Sequence, residues 1–185
     1  MTALPEGVAQ AINAAIDTAA DELIRVSHEI HGNPELAFEE HFAADLLCRT
    51  AERHGMQPAR GVYTLATAFE ARFGQSHGPT VAVLAEYDAL PGIGHACGHN
   101  IIATSALGAA IGLSRVADAL PGQVRLLGTP AEERGGGKEL MARAGAFEGI
   151  DAALMIHPAG VDLTAMPCIC VAEVDVVYHG RAAHA

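Results

Sequence analysis

Hydrophobic and polar positions along the chain follow two different periods. Apolar residues recur at helical spacing at Ile12, Ile16 and Leu23, which predicts a long amphipathic helix. Other apolar residues form nearly unbroken runs, such as TVAVLAEY at 80–87, which are typical of strands buried on both faces. The predicted helices cover residues 6–31, 34–53, 100–120 and 137–145.

The predicted strands alternate with these helices. They cover residues 62–73, 80–87, 123–130, 151–158 and 169–180. This alternation predicts an α/β domain with a mostly parallel sheet and helices on both faces. The pattern changes after Pro167, which predicts one domain at 1–167 and the start of a second at 168–185. In parallel sheets, ligands bind beyond the carboxyl ends of the strands.

Composition and charge exclude some classes of partner. The 185 residues are 50% hydrophobic but only 4% aromatic, with no Trp, so small aliphatic side chains must build the core. The net charge of −11 argues against nucleic acid, because phosphate binding relies on Lys and Arg. An acidic surface fits a site that attracts cations, although general solubility explains the same charge.

The sequence predicts neither a membrane segment nor a secretory signal. No run approaches the roughly 20 apolar residues that a membrane helix needs, and MTALPEGVAQ lacks the basic start and apolar run of a signal peptide. We therefore expect a cytoplasmic protein that contacts no membrane. The four cysteines are too scattered for a disulfide framework, and only Cys97 lies among potential metal ligands.

The segment EYDALPGIGHACGHN at 86–100 concentrates metal-binding side chains in a loop after a predicted strand. Cys97 and His99 are two residues apart, so both can face one point, and a thiolate with an imidazole suits zinc. Such a pair taken alone is also compatible with a structural role. Asp88 could hold a ligand histidine in the correct tautomer. His95 could do the same, but bracing of the loop is the favoured interpretation.

Two further loops supply donors after predicted strands. Glu132 and Glu133 follow one strand and precede a glycine triplet that allows close backbone approach, and His157 follows another. Alone, the acidic pair would indicate a solvated loop and the histidine a structural residue. Together the three loops offer sulfur, nitrogen and oxygen donors with one carboxylate to spare. That set predicts metal-assisted hydrolysis, in which the cation activates water and the acid accepts its proton.

Five motifs in order resemble one enzyme family: HEIHGNPELAFEE, EYDALPGIGHACGHN, TPAEERGGG, MIHP and YHGRAAHA. They look like those of the dinuclear metal amidohydrolases related to aminoacylases and glutamate carboxypeptidases. The most similar branch contains N-acyl amino acid amidohydrolases, aminobenzoyl-glutamate hydrolases and β-alanyl-lysine dipeptidase-like enzymes. The resemblance implies a zinc-peptidase-like catalytic domain, followed by the first strand of an α+β lid and dimerisation domain.

The resemblance also implies cofactors, substrates and partners. It implies two divalent cations, zinc or manganese and in some cases cobalt, and a homodimer in the full-length protein. The substrate would be a small amide, such as an N-acyl amino acid, a short dipeptide or an aminobenzoyl-glutamate-like compound. The implied metal ligands, with Cys97 bridging the two cations, are Cys97, His99, Glu133 and His157.

Three residues take catalytic roles by the same resemblance. Glu132 matches the general base, and Asp88 matches the acid that supports the metal centre. His184 matches a lid histidine that reaches the partner subunit's active site and stabilises the oxyanion. Asn100 stands where many relatives carry Asp, a difference that bears on substrate class more than on activity.

The sequence ends at Ala185, whereas family members are about twice as long, as two domains of ordinary size require. We therefore expect the lid, the substrate-carboxylate clamp and one last histidine ligand to lie beyond it, and the 185-residue segment alone to be inactive. Two alternatives remain open at this point. The chain could be a non-catalytic fragment or a metal-binding or interaction module, or it could be a single-zinc deacetylase.

Overall fold

The computed structural model describes residues 6–164, 174, 176–181 and 183–184. The helices are α1 (Glu6–Gly32), α2 (His41–Arg53), α3 (His99–Ser114) and α4 (Gly137–Arg143), with a 3-10 turn at Ala117–Ala119. The strands are β1 (Ala59–Arg60), β2 (Phe69–Gly74), β3 (Thr80–Ala85), β4 (Gln123–Gly128) and β5 (Ala152–Leu154). The predicted strand at 169–180 and the domain boundary after residue 167 lie for the most part outside the described residues.

The strands form one sheet in the order β1-β2-β4-β3-β5. β3 pairs in parallel with β4 and β5, whereas β2 pairs antiparallel with both β1 and β4. The α/β fold with flanking helices is confirmed, but the sheet is parallel only in part. The reason is the short connection at 75–79 between β2 and β3. A parallel crossover takes a dozen or more residues, so this turn must reverse the chain.

The predicted strand at 62–73 is only half correct, because the structure has β2 at 69–74 and a loop before it. Tyr63 and Thr64 adopt φ values of 54° and 64°, which a strand cannot contain. The loop instead bonds to itself, with the Gly61 amide donating to the Ala68 carbonyl at 2.9 Å. Local turn bonding therefore wins over the β-propensity of this stretch.

The second helix also begins later than predicted, at His41 and not at Pro34. The Glu35 carboxylate accepts hydrogen bonds from the backbone amides of Phe42 and Ala43, both at 2.9 Å. These amides belong to the first turn of α2, where the backbone lacks partners within the helix. Residues 34–40 thus fold back to cap the helix from outside.

The core lies where α1, α2 and α3 pack against one another and against the sheet. α3 is buried along most of its length, and Leu107 and Ile111 are 0% and 1% exposed. α1 approaches α3 closely at two glycines. A Cβ at Gly112 would lie 2.9 Å from Ile12 Cγ2 of α1, so only glycine allows this approach. Among the described residues, no helix has the length and apolar character needed to cross a bilayer.

Truncation of the central core side chain should cost far more stability than truncation of an exposed neighbour. Leu107→Ala leaves a cavity in α3 and should lower the free energy of unfolding by about 2–5 kcal/mol. The matched control is Ile101→Ala on the same helix, because Ile101 is 49% exposed. The control should change stability by about 0.5 kcal/mol or less. Urea denaturation followed by circular dichroism measures both, and equal losses would contradict the described core.

Candidate metal centre

The candidate site lies at the edge of the sheet where its three parallel strands end. Asp88 follows β3, Glu133 follows β4 and His157 follows β5. His99 is the first residue of α3, which starts in the loop after β3. Gly98, immediately before it, has a φ of 80°, and a Cβ there would lie 2.8 Å from Pro158 Cγ. The glycine therefore allows the loop after β5 to approach the start of α3.

A buried hydrogen bond orients the central histidine. His99 Nδ1 lies 3.0 Å from Asp88 Oδ1, and both side chains are almost fully buried. A carboxylate only accepts, so Nδ1–H donates and the Nε2 atom of neutral His99 is left as a ligand. The other Asp88 oxygen accepts from the Glu133 backbone amide at 2.9 Å. One carboxylate thus fixes the ligand nitrogen and also the loop that carries the acidic pair.

Two groups of side chains could hold a cation among the described residues. Cys97, His99 and Glu133 offer ligand atoms within 4.8 Å of one another, and so do Glu86, His99 and His157. His99 belongs to both groups. Its Nε2 atom and Glu133 Oε1 are buried without a hydrogen-bond partner. Thiolate, imidazole and carboxylate are the donors that zinc takes, so the residues present fit a divalent metal.

The protonation of this cluster is coupled to cation binding. A hydrogen bond to Glu133, burial and nearby carboxylates raise the pKa of the Cys97 thiol to about 11. Burial lowers the pKa of His99, but the hydrogen bond and charge of Asp88 and the charges of Glu86 and Glu133 outweigh it and raise the pKa. A cation that binds these ligand atoms must therefore displace protons from them.

Glu132 belongs to neither group of ligands and lies beside both. Its Oε2 atom is 3.6 Å from His99 Nε2, and the side chain is 41% exposed toward solvent. Burial and then the charge of Glu86 raise the pKa of Glu132. A carboxylate next to the metal ligands, with a raised pKa and open to a substrate, has the features of a general base.

Glu40 is a supporting residue that the sequence interpretation missed. It is completely buried, and its Oε1 atom accepts from the Ala131 backbone amide at 2.8 Å. Its other oxygen accepts from the Thr67 hydroxyl at 2.8 Å. Ala131 has a φ of 57° and immediately precedes Glu132, so Glu40 stabilises the turn that presents the acidic pair. Its position in the motif NPELAFEE, just before a predicted helical face, was the available signal.

Glu86 and Lys138 were also missed. Glu86 directly follows β3 and is 1% exposed, and one of its oxygens forms an ion pair with Lys138 Nζ. Glu86 breaks the apolar run TVAVLAEY, and Lys138 is the only lysine in the sequence. An acid inside a buried apolar run is unusual and was the available signal.

Two predicted residues lie apart from the metal-binding groups. His184 is exposed and belongs to neither group. His95 is buried, and its ring centroid lies 6.3 Å from that of His31. The contact fits the bracing role favoured for His95. His157, by contrast, is placed well, because its Nδ1 lies 2.7 Å from the Pro158 carbonyl oxygen and its Nε2 is left for a metal.

Comparison with known proteins identifies the family. Residues 80–184 match peptidase family M20/M25/M40. The chain is 43% identical over 186 aligned residues to the Xaa-Arg dipeptidase of Mus musculus, a match that covers 92% of this chain and 42% of that protein. The chain belongs to peptidase family M20/M25/M40.

Two further similarities describe this M20 chain. It is 37% identical to one of the p-aminobenzoyl-glutamate hydrolase polypeptides of Escherichia coli, with 80% of this chain and 34% of that protein covered. The solved structure of the YXEP protein of Bacillus subtilis, described as a dinuclear metal-binding peptidase, superposes with a TM-score of 0.69 at 30% identity. That match covers 74% of this chain and 42% of the other. The M20 chain thus spans less than half the length of these relatives.

Metal binding to this M20 chain should strengthen as the pH rises. A Cys97 thiol with a pKa of about 11 is protonated at neutral pH, so binding must release that proton. The apparent dissociation constant for zinc should therefore fall about tenfold per pH unit between about pH 6.5 and 8.5. Isothermal titration calorimetry in buffers of different ionisation enthalpy measures both the affinity and the protons released.

Alkylation supplies the control for this prediction. Zinc should protect Cys97 from iodoacetamide, whereas Cys48, a buried thiol whose pKa burial raises to about 12, should react little in either form. Peptide mass mapping separates the two cysteines. Equal labelling of Cys97 with and without zinc, or an affinity that does not change with pH, would show that the thiol is not a ligand.

Proposed function

We propose that the protein to which this sequence belongs hydrolyses an amide bond with the help of divalent metal. The observation that supports this most directly is the position of Glu132, whose carboxylate lies 3.6 Å from the His99 ligand atom and outside both groups of ligands. The site therefore combines cation ligands with a separate base. Membership of the M20 peptidases agrees with this chemistry.

In the proposed reaction, water attacks the amide carbonyl carbon and Glu132 takes the proton that the water loses. The carbon–nitrogen bond then breaks, and Glu132 delivers that proton to the leaving amine nitrogen. The bound cation would supply Lewis acidity, which lowers the pKa of water and polarises the carbonyl. Asp88 keeps the His99 ring in position throughout, and Glu40 keeps the turn before Glu132 in place.

We assign the substrate to small amides: N-acyl amino acids, short dipeptides or aminobenzoyl-glutamate-like compounds. The names of the mouse and Escherichia coli relatives support the last two classes. The proposed cofactors are two divalent cations. The two overlapping groups of ligands support this number, and the Bacillus relative is described as dinuclear. Zinc suits the thiolate and imidazole donors best, with manganese and cobalt as candidates.

The proposed setting is a cytoplasmic homodimer. A reducing compartment would keep Cys97 available as a ligand, which supports the location. In the dimer, His184 of one protomer would assist the oxyanion in the site of the other. The net charge of −11 supports a small substrate and no nucleic acid.

The test uses a chimera, because the M20 chain covers only 42% of the mouse dipeptidase. This chain replaces the matching region of that enzyme, and the chimera is assayed with zinc, manganese or cobalt against a panel of dipeptides and N-acyl amino acids. Metal-dependent release of the amine is the expected result. A folded, metal-loaded chimera without activity would contradict the proposal, and one cation per site would favour a single-zinc deacetylase.

Within the chimera, the two adjacent acids should respond differently to substitution. Glu132→Gln should keep the metal content and lose about 100-fold to 10,000-fold in kcat, because it removes only the base. Glu133→Gln should lose metal as well, because it removes a ligand oxygen. Elemental analysis and steady-state kinetics separate the two effects, and the exposed Glu139→Gln on α4 is the matched control. Equal metal loss in both variants would overturn the assignment of roles.

A further inference from the structure

Glu86 has one oxygen satisfied and one oxygen without a partner. Oε1 forms the ion pair with Lys138 Nζ, while Oε2 is buried with no hydrogen-bond partner and lies 3.4 Å from His99 Nε2. Asp88 accepts the Nδ1 hydrogen of His99, so in the neutral ring the Nε2 atom carries a lone pair. Two electron-rich atoms that face each other in a buried site need a positive charge between them.

The separation of these two atoms matches metal coordination. Ligand atoms bound to zinc at about 2.1 Å in a tetrahedral arrangement lie about 3.4 Å from each other. The distance from Glu86 Oε2 to His99 Nε2 is 3.4 Å, and that from Glu133 Oε1 to His99 Nε2 is 3.6 Å. Glu86 also lies within one group with His99 and His157, whose ligand atoms are all within 4.8 Å.

An ordinary buried ion pair does not explain this arrangement. Glu70, another buried acid, has the Tyr63 hydroxyl and Arg72 on one oxygen at 2.8 Å and Arg125 near the other at 3.7 Å. Glu86, by contrast, has a single cationic partner on one oxygen, and its other oxygen points at a ligand nitrogen. A structural pair gains nothing from an oxygen left buried and unsatisfied.

We propose that Glu86 is a further metal ligand on the His157 side of the centre and that Lys138 positions its carboxylate. The inference rests on the proposed metal centre and adds a ligand to it. Because one imidazole nitrogen binds one cation, His99 cannot serve both groups at once. Glu86 gives the cation beside His157 a carboxylate of its own, as Glu133 does for the cation beside Cys97.

The test uses cobalt(II) as the probe on the 185-residue chain, with its visible absorption and affinity as readouts. Glu86→Gln should weaken cobalt binding on the His157 side at least about tenfold and change the ligand-field bands of that cation, while the thiolate charge-transfer band from Cys97 remains. Glu139→Gln, next to Lys138 on α4 and exposed, is the matched control and should change neither readout.

A double variant separates a ligand from a structural partner. Lys138→Met alone leaves Glu86 unpaired, so it should lower the melting temperature of the metal-free protein and increase the rise in that temperature on adding cobalt. Glu86→Gln combined with Lys138→Met removes both charges and should restore the metal-free melting temperature, but cobalt should still bind weakly. If the double variant instead binds cobalt like the wild type, Glu86 is only the partner of Lys138.

Lys138 gives a second readout that does not depend on affinity. Labelling with 13C,15N-lysine gives a single side-chain spin system, because the sequence has one lysine. Zinc should shift its ε-carbon resonance in the wild type and not in Glu86→Gln. Unchanged cobalt affinity in Glu86→Gln would overturn the proposal and leave the proposed hydrolase function intact. A wild-type chain that binds no cobalt would overturn both, and an inactive chimera with Glu86-dependent cobalt binding would overturn only the function.

Discussion

The site depends first on the buried contact between Asp88 and His99. The contact joins the end of β3 to the start of α3, and the second Asp88 oxygen holds the loop after β4 through the Glu133 amide. Two strands and a helix therefore share a single carboxylate at the edge where the ligands meet. Burial raises the pKa of Asp88, but the hydrogen bonds from His99 and Glu133 outweigh it and lower the pKa, so the acid remains charged.

Around this contact the protein concentrates negative charge that the polypeptide only partly neutralises. Glu40, Glu86 and Asp88 are each buried to within 1% of full burial. Glu40 is compensated by backbone amides and a hydroxyl, and Asp88 by an imidazole and an amide. Glu86 has Lys138 alone. A divalent cation would remove the remaining imbalance, so binding and the stability of this edge are thermodynamically linked.

Sequence patterns predicted the elements that obey a simple period. The helix at 6–31 and the apolar strands at 80–87 and 123–130 agree with α1, β3 and β4 within a few residues. The loops that end these strands held the ligands, since the topology alone brings strand ends together. The failures fall where local bonding overrides periodicity, as at Glu35, which caps α2, and in the turn before β2.

Supporting residues were harder to predict than ligands for a related reason. Cys97 and His99 stand out by type and spacing within one loop. Glu40 and Lys138 act on groups far away in sequence, such as the Ala131 amide and the Glu86 carboxylate, and no local pattern connects such pairs. Their roles follow only from the folded arrangement.

The short β5 has a consequence for how evenly the centre is held. It pairs with β3 over three residues, and all three are exposed, so little apolar contact secures it in this chain. His157 follows this strand, whereas Cys97, His99 and Glu133 are anchored by α3 and by the Asp88 contact. Brief local opening would therefore detach His157 while the other ligands keep their places. Amide hydrogen exchange would record this as fast exchange in β5 beside slow exchange in α3, with two unequal lifetimes for the two halves of the centre.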